Sequence, residues 1–180
     1  MIYIVTALKP EAQAFVDKFK LKKEKLNNYT VFSNDSMMVI VSGVGVYNSM
    51  MATQTFIDYF DITDDDIYIN VGICGANKKY EISEFIEISE VIYKEKKYIL
   101  NDYNKDSITC SDIEVIDTNY NIVDMESFGF LDAVIHSTAI KNRYMFKVVS
   151  DNFEPHLVTK DKTKKLIFDN IEKIFERVNL

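Results

Sequence analysis

The sequence predicts an α/β fold in which a twisted, mostly mixed central sheet is flanked by helices on both sides, with residues 1–180 forming a single domain. Three observations lead to that expectation. Short β-branched runs alternate with stretches whose apolar residues recur at helical spacing. Four of the five glycines fall into two tight clusters, each just after a run that looks like a buried strand. With 47% hydrophobic residues, a chain of 180 can bury on the order of 70% of its unfolded surface around one core.

The elements follow in order. Ile2 to Thr6 is a β-branched run, and Pro10 then sits where a first helical turn tolerates it, ahead of Ala12, Phe15, Val16 and Phe19 at helical spacing. Met38 to Val41 and Ile67 to Val71 read as buried strands, with Met50, Thr53, Ile57 and Phe60 on one face of a helix between them, making a βαβ unit. Phe85 to Tyr93 is β-rich, whereas Lys94 to Asp112 is polar and weakly patterned. Val115-Ile116 and Ile122-Val123 suggest short strands, and Glu126 to Ala139 a helix. Tyr144 to Val149 is the strongest strand, and the last helix turns Ile167, Ile171, Ile174, Phe175 and Val178 inward.

Composition excludes several function classes. A net charge of −7 disfavours nucleic acid as a partner, because duplex binding relies on clustered Lys and Arg to release counterions. No apolar run approaches the roughly 20 residues of a spanning helix, so no membrane role is expected. Two cysteines, Cys74 and Cys110, are too few for a disulfide framework, and Lys9 interrupts the apolar start, so a cytoplasmic, reduced protein is expected.

The glycine clusters, Gly43-Val44-Gly45 and Gly72-Ile73-Cys74-Gly75, lie at the carboxyl ends of strands, where open α/β sheets place their ligands. Each is also consistent with a plain tight turn. Neither has dinucleotide or P-loop spacing. Acidic residues stand at the same ends: Asp124 and Glu126 leave one strand, Asp151 leaves the strongest strand, and Glu11 follows the first. Asp124 or Asp151 could serve only as helix or turn caps. Asp124, Asp151 and Glu11 converging on a glycine-lined crevice would instead suit glycosidic cleavage, which wants an acid for the leaving group, a base for water and an acceptor for sugar hydroxyls.

Four motifs occur in the order found in the nucleoside phosphorylase/nucleosidase superfamily. Ser42-Gly43-Val44-Gly45-Val46-Tyr47-Asn48 resembles its Ser-Gly-Ile/Val-Gly-x-x-Asn, and Gly72-Ile73-Cys74-Gly75-Ala76 its Gly-Ser/Thr-Ala/Cys-Gly-Gly. Val123-Asp124-Met125-Glu126-Ser127 resembles its Val-Asp/Glu-Met-Glu-Ala/Gly, and Val149-Ser150-Asp151 its Ile-Ser-Asp. The opening Ala7-Leu8-Lys9-Pro10-Glu11 is similar to the start of the methylthioadenosine/S-adenosylhomocysteine nucleosidases. The resemblance implies a nucleoside phosphorylase-like fold and a set of roles. Asp151 would be the general acid at the purine N7, with Ser150 orienting it and Asn152 in support. Glu126 would accept from ribose hydroxyls while Met125 packs on the ribose. Glu11 would activate water, and Gly43 with the Gly72, Ile73 and Gly75 turn would shape the crevice and the water or anion site. No cofactor or metal is implied.

This chain departs from the superfamily between Gly75 and Asp124, which is short. Ser111-Asp112-Ile113 faintly resembles Ser-Gly-Asp-x-Phe but offers Ile113 or Val115 in place of the base-stacking Phe. Tyr103, Tyr120 and Phe153 are the other stacking candidates. The expected function is hydrolysis of the N-glycosidic bond of a purine-type nucleoside, including 5′-modified ones such as methylthioadenosine or S-adenosylhomocysteine. Phosphorolysis and a catalytically silent nucleoside-binding protein are the alternatives. Scarce arginine favours water over phosphate: only Arg143 and Arg177 exist, one at the amino end of a strand and one in the last helix. The resemblance, together with Met50 and Met51 on the helix after Gly45, implies a homodimer.

Overall fold

The computed structural model describes residues 1–116 and 119–178. At its centre β1 (Ile2–Thr6) runs parallel to both β4 (Met37–Val41) and β5 (Ile67–Ala76), and all five of its residues are buried. A strand covered on both faces needs apolar side chains at every position, which is why Ile2 to Thr6 shows no alternation. On the far side of β4, β3 (Tyr29–Ser33) and β2 (Lys22–Leu26) add an antiparallel hairpin.

Beyond β5 the sheet does not stay open. β10 (Asn142–Asp151) pairs with β5 in parallel and with β6 (Phe85–Tyr93) antiparallel. β6 pairs with β8 (Asp106–Cys110), β8 with β9 (Ile122–Asp124), and β9 returns to β5 at Gly75 and Ala76. Five strands thus close a ring, from which β1, β4, β3 and β2 extend as a flange and β7 (Lys96–Ile99) hangs from β6. The expectation of a twisted mixed sheet flanked by helices holds in outline; closure into a barrel refines it. The closure depends on the length of β5 and β10, ten residues each. Both run past the end of β1 and find new partners there.

Two helices cover each face. On one, α1 (Lys9–Phe19) and α4 (Lys160–Arg177) pack Ala12, Phe15, Ile167 and Ile171 against Ile4, Ile69 and Phe146. On the other, α2 (Val46–Tyr59) and α3 (Ser127–His136) pack Ala52, Phe56, Phe130 and Val134 against Val5, Ile40 and Tyr68. α2 turns Ser49, Ala52, Thr53 and Phe56 fully inward, one position off the expected Met50, Thr53, Ile57 and Phe60 face. Gly129 of α3 lets the two helices come close: a Cβ there would stand 2.0 Å from the Val46 carbonyl oxygen. None of the described helices is long and apolar enough to cross a membrane.

Other expectations need correction. Val115 and Ile116 lie outside any strand, and the helix expected over Glu126 to Ala139 spans only Ser127–His136. Strand β2 is Lys-Lys-Glu-Lys-Leu with only Leu26 buried, a charged sheet edge of the sort that blocks edge-to-edge pairing and so carries no apolar signal. The Lys94 to Lys97 run is exposed as expected, but it is structured: Lys94 and Glu95, at φ 48° and 65°, form the tight turn of the β6–β7 hairpin, and Lys96 and Lys97 open β7.

Candidate active site

The edge of β5 that pairs with β1 up to Asn70 pairs with β9 only from Gly75. Between the two the sheet parts, and at this gap the Ile73 N–H donates to Glu11 Oε1 at 2.9 Å rather than to a strand. A cavity of about 350 Å³ opens here, at the carboxyl ends of the strands. Glu11, Ile73, Gly75, Met125, Glu126, Ser150 and Asp151 all line it, so the residues singled out in sequence converge on one site from α1, β5, β10 and the β9–α3 connection.

Gly43, Gly72 and Asn152 stand behind that wall. Gly43, at φ 88°, donates its N–H to the Ala7 carbonyl at 3.1 Å and turns the chain so that Gly45 faces the site. Gly72 leaves room for two charged side chains: a Cβ there would lie 3.1 Å from Glu11 Oε1 and 3.5 Å from Lys147 Nζ. Asn152 spends its amide on the Ala76 carbonyl, 3.0 Å away, and braces the backbone rather than reaching the cavity.

Glu11 is 1% exposed. Its Oε2 accepts from the N–H groups of Ala7 and Leu8 at 3.0 and 2.8 Å, so three backbone donors in all hold the carboxylate. Burial pushes its pKa above the ordinary glutamate value, although the Leu8 and Ile73 donors and the Lys147 charge oppose the shift. A carboxylate so held is a fixed acceptor with raised basicity.

Glu126, 9% exposed, accepts the Gly45 N–H at Oε1 across 2.8 Å. Burial first, and then the neighbouring Asp124 charge, push its pKa up to about 7 against the pull of Lys147. Asp151 accepts the Ser150 hydroxyl at Oδ2 (2.7 Å) and the Glu154 N–H at Oδ1 (2.8 Å). The second bond makes it a turn cap, and because each carboxylate oxygen can take more than one donor, both oxygens keep capacity for a ligand.

Sequence reasoning missed Lys147. Only 1% exposed, it sits in the middle of β10 and pairs with Asp124 Oδ2 at 2.7 Å. Burial alone would lower its pKa; Asp124, Glu126 and Glu11 outweigh that and raise it. The signal was present as a lysine inside the apolar run Tyr144 to Val149, since a charge on a fully buried strand needs a partner.

The remaining wall is aliphatic. Leu8, Val44, Ile113, Val115, Pro155 and Val158 contribute, and no aromatic side chain among the described residues does. Tyr103 instead stacks on Tyr144, Tyr120 lies outside the wall, and Phe153 is buried beneath Gly75. Cys74 borders the cavity, but burial pushes its thiol well above the ordinary range and disfavours the thiolate. His136 bonds to the Asp132 carbonyl on α3, away from Cys74. Neither arginine reaches the cavity: Arg143 donates to the Leu100 carbonyl at 2.8 Å, and Arg177 lies 3.8 Å from Glu87.

No protein-family model matches this sequence, and no curated protein matches it. Solved structures do match in shape. The native structure of futalosine hydrolase of Helicobacter pylori aligns with a TM-score of 0.78 at 13% identity, over 99% of this chain and 97% of that one. The 5′-methylthioadenosine/S-adenosylhomocysteine nucleosidase from Neisseria meningitidis, in complex with methylthio-immucillin-A, aligns at 0.77 with 15% identity, over 98% and 97%. The apo 5′-methylthioadenosine nucleosidase of Arabidopsis thaliana aligns at 0.75 with 16% identity, over 96% and 95%. Over nearly its whole length, then, this chain has the nucleoside phosphorylase/nucleosidase fold.

Proposed function

We propose that this protein is an enzyme that hydrolyses the N-glycosidic bond of a purine-type nucleoside. The observation that carries the proposal is the meeting of Glu11, Glu126 and Asp151 on one cavity of about 350 Å³, each held by at least one backbone N–H. As the bond from C1′ to the base stretches, the electron pair goes to the base and positive charge grows on the sugar. Asp151 transfers a proton to N7, so that the base leaves neutral. Glu126 accepts from the ribose hydroxyls and stabilises the charge on the ring, against which Met125 packs. Water adds at C1′ and gives its proton to Glu11. The products are free base and ribose.

Water is favoured over phosphate by the charges around the cavity. Glu11, Glu114, Asp124, Glu126 and Asp151 line it, and Lys147, the cation beside them, is already paired with Asp124. A phosphate dianion would meet like charge, with neither arginine within reach. Support for a 5′-modified substrate comes from the aliphatic mouth at Leu8, Val44, Ile113, Pro155 and Val158, and from the nucleosidases that share the fold. The silent-binder reading is favoured by one observation, the Asp151 cap on Glu154.

The proposed assembly is a homodimer. Tyr47 and Met51 are exposed one turn apart on α2, at 68% and 39%, beside the cavity mouth where Val44 is 46% exposed; sedimentation at micromolar concentration that yields only monomer would remove this part. Two free, buried cysteines suit a reducing cytoplasm. The hydrolase reading is tested by incubating the protein with a panel of purine nucleosides, including 5′-alkylthio ones, with and without phosphate. Free base released at a phosphate-independent rate supports it. Base release that requires phosphate and yields ribose 1-phosphate, or binding without release, overturns it.

A further inference from the structure

We infer that Asp124 and Lys147 are a positioning pair: together they fix the turn that presents Glu126 to the cavity, and Lys147 offsets the negative charge that Asp124 places beside Glu126. Both side chains are 1% exposed. Asp124 is the last residue of β9, held in the ladder opposite Cys110. Its Oδ2 takes both the Lys147 ammonium at 2.7 Å and the Ser127 N–H at 3.0 Å, while Oδ1 takes the Ser127 hydroxyl at 2.6 Å. Met125 and Glu126 are the two residues enclosed between Asp124 and Ser127. The bracket therefore closes around the segment that carries the sugar acceptor, and Gly45 secures the tip of Glu126 from the other side.

The ammonium reaches Asp124 past Gly72. Lys147 lies opposite Gly72 in the β5–β10 register, and the absent Cβ leaves a passage whose nearest side-chain neighbours are Glu11 and Lys147 themselves. The titratable groups around the pair are Glu11 from α1, Cys74 from β5, Cys110 from β8 and Glu126 from the β9–α3 connection. Three carboxylates, Asp124, Glu126 and Glu11, thus share one cation. Asp124 alone would drive Glu126 toward its neutral acid, which gives up acceptor capacity; Lys147 offsets this. Each partner left alone would be a buried, uncompensated charge.

The substrate arm of the test rests on the hydrolase reading, so the primary readout uses substrate-free protein. Carbon-13 NMR of the side-chain carboxyls gives the Glu126 titration midpoint in wild type, Asp124→Asn, Lys147→Met and the double variant, with Glu126→Gln to assign the signal. Losing Lys147 is expected to raise the midpoint by about one pH unit, a roughly tenfold change in proton affinity. Asp124→Asn should lower it, and the double variant, with neither charge, should return near wild type. If Lys147→Met does not fold, the pair formed by Asp124→Asn and the double variant decides, with the double variant expected to titrate higher. Where a nucleoside is cleaved, the pH dependence of KM should shift with these midpoints while kcat on the plateau changes less. A Glu126 midpoint that stays put across the folded variants overturns the inference, whatever happens to their stability. Absence of base release by wild type would overturn the hydrolase reading alone, because the midpoints are read without substrate.

Discussion

Glu126 Oε1 accepts a hydrogen bond from the backbone N–H of Gly45 across 2.8 Å, joining residues 81 apart in sequence. The bond ties the start of α3 to the start of α2, and it makes the Gly43 to Gly45 turn part of the same acceptor site as Glu126. Gly45 can offer its N–H in this direction because it adopts φ 104°, a conformation open to glycine and strained for other residues.

A Gly45→Ala variant tests that coupling. A Cβ at this position meets nothing within 4 Å, so the cost is backbone strain rather than collision. The expected outcome is a rise in KM of roughly fivefold, corresponding to about 1 kcal/mol of strain or a lost hydrogen bond, with kcat changed less. Steady-state kinetics on the best nucleoside of the panel checks it.

Asp151→Asn separates acid catalysis from capping. An asparagine still offers an oxygen to the Glu154 N–H, and its amide can donate to Ser150, whose hydroxyl also faces the Cys74 carbonyl at 3.1 Å. Stability is therefore expected to hold, while kcat falls by about 10²–10⁴-fold because the amide transfers no proton. Unchanged turnover would leave Asp151 a cap only.

The pH dependence of stability follows from Glu126, whose pKa stands at about 7 in the folded chain. The unfolded chain has the ordinary glutamate value of about 4.3, so between these values the folded state holds a proton that the unfolded state has released. The contribution is fully present below the unfolded value and is lost as pH rises through about 7. Wild type should thus lose Tm from pH 5 to 8 relative to Glu126→Gln, by thermal denaturation of the two side by side. Nucleoside affinity should run the other way, improving as Glu126 ionises.

Gly72→Ala probes the space shared by Glu11 and Lys147. Its Cβ would come 3.1 Å from Glu11 Oε1, which would have to give by a few tenths of an ångström, and would stand in ordinary contact with Lys147 Nζ at 3.5 Å. With Glu11 in the proposed role of activating water, its displacement is expected to lower kcat about tenfold. Glu11→Gln should lower kcat as well, with KM little changed.

The parts of this fold that announce themselves in sequence are those whose burial dictates their side chains. β1, the core of β5 and β10, and the inner face of α4 are apolar because they are covered. β2 is a charged edge, and β7 has two exposed lysines among its four residues, so neither has an apolar period to detect. Ring closure was illegible for a different reason. It depends on which strands pair after β1 ends, a long-range choice that leaves no local pattern.

Glu11, Glu126 and Asp151, which line one cavity, are legible through their motifs at strand ends. Lys147 is hidden within a run that reads as a strand, and its partner Asp124 reads as a cap or as one of the converging carboxylates. Asp124 does cap Ser127, and it carries the ammonium as well. The stacking aromatic sought at Tyr103, Tyr120 or Phe153 has no counterpart in the described wall, which is aliphatic there.

Product stoichiometry in phosphate-free buffer tests the central claim most directly. Purified wild type and Asp151→Asn are incubated with the nucleoside that the panel identifies, and free base and reducing sugar are quantified over time. Hydrolysis predicts base and sugar in equal amounts from wild type, with release slowed by about 10²-fold or more in the variant. Equal rates from the two proteins, or no base from wild type until phosphate is added, would contradict it.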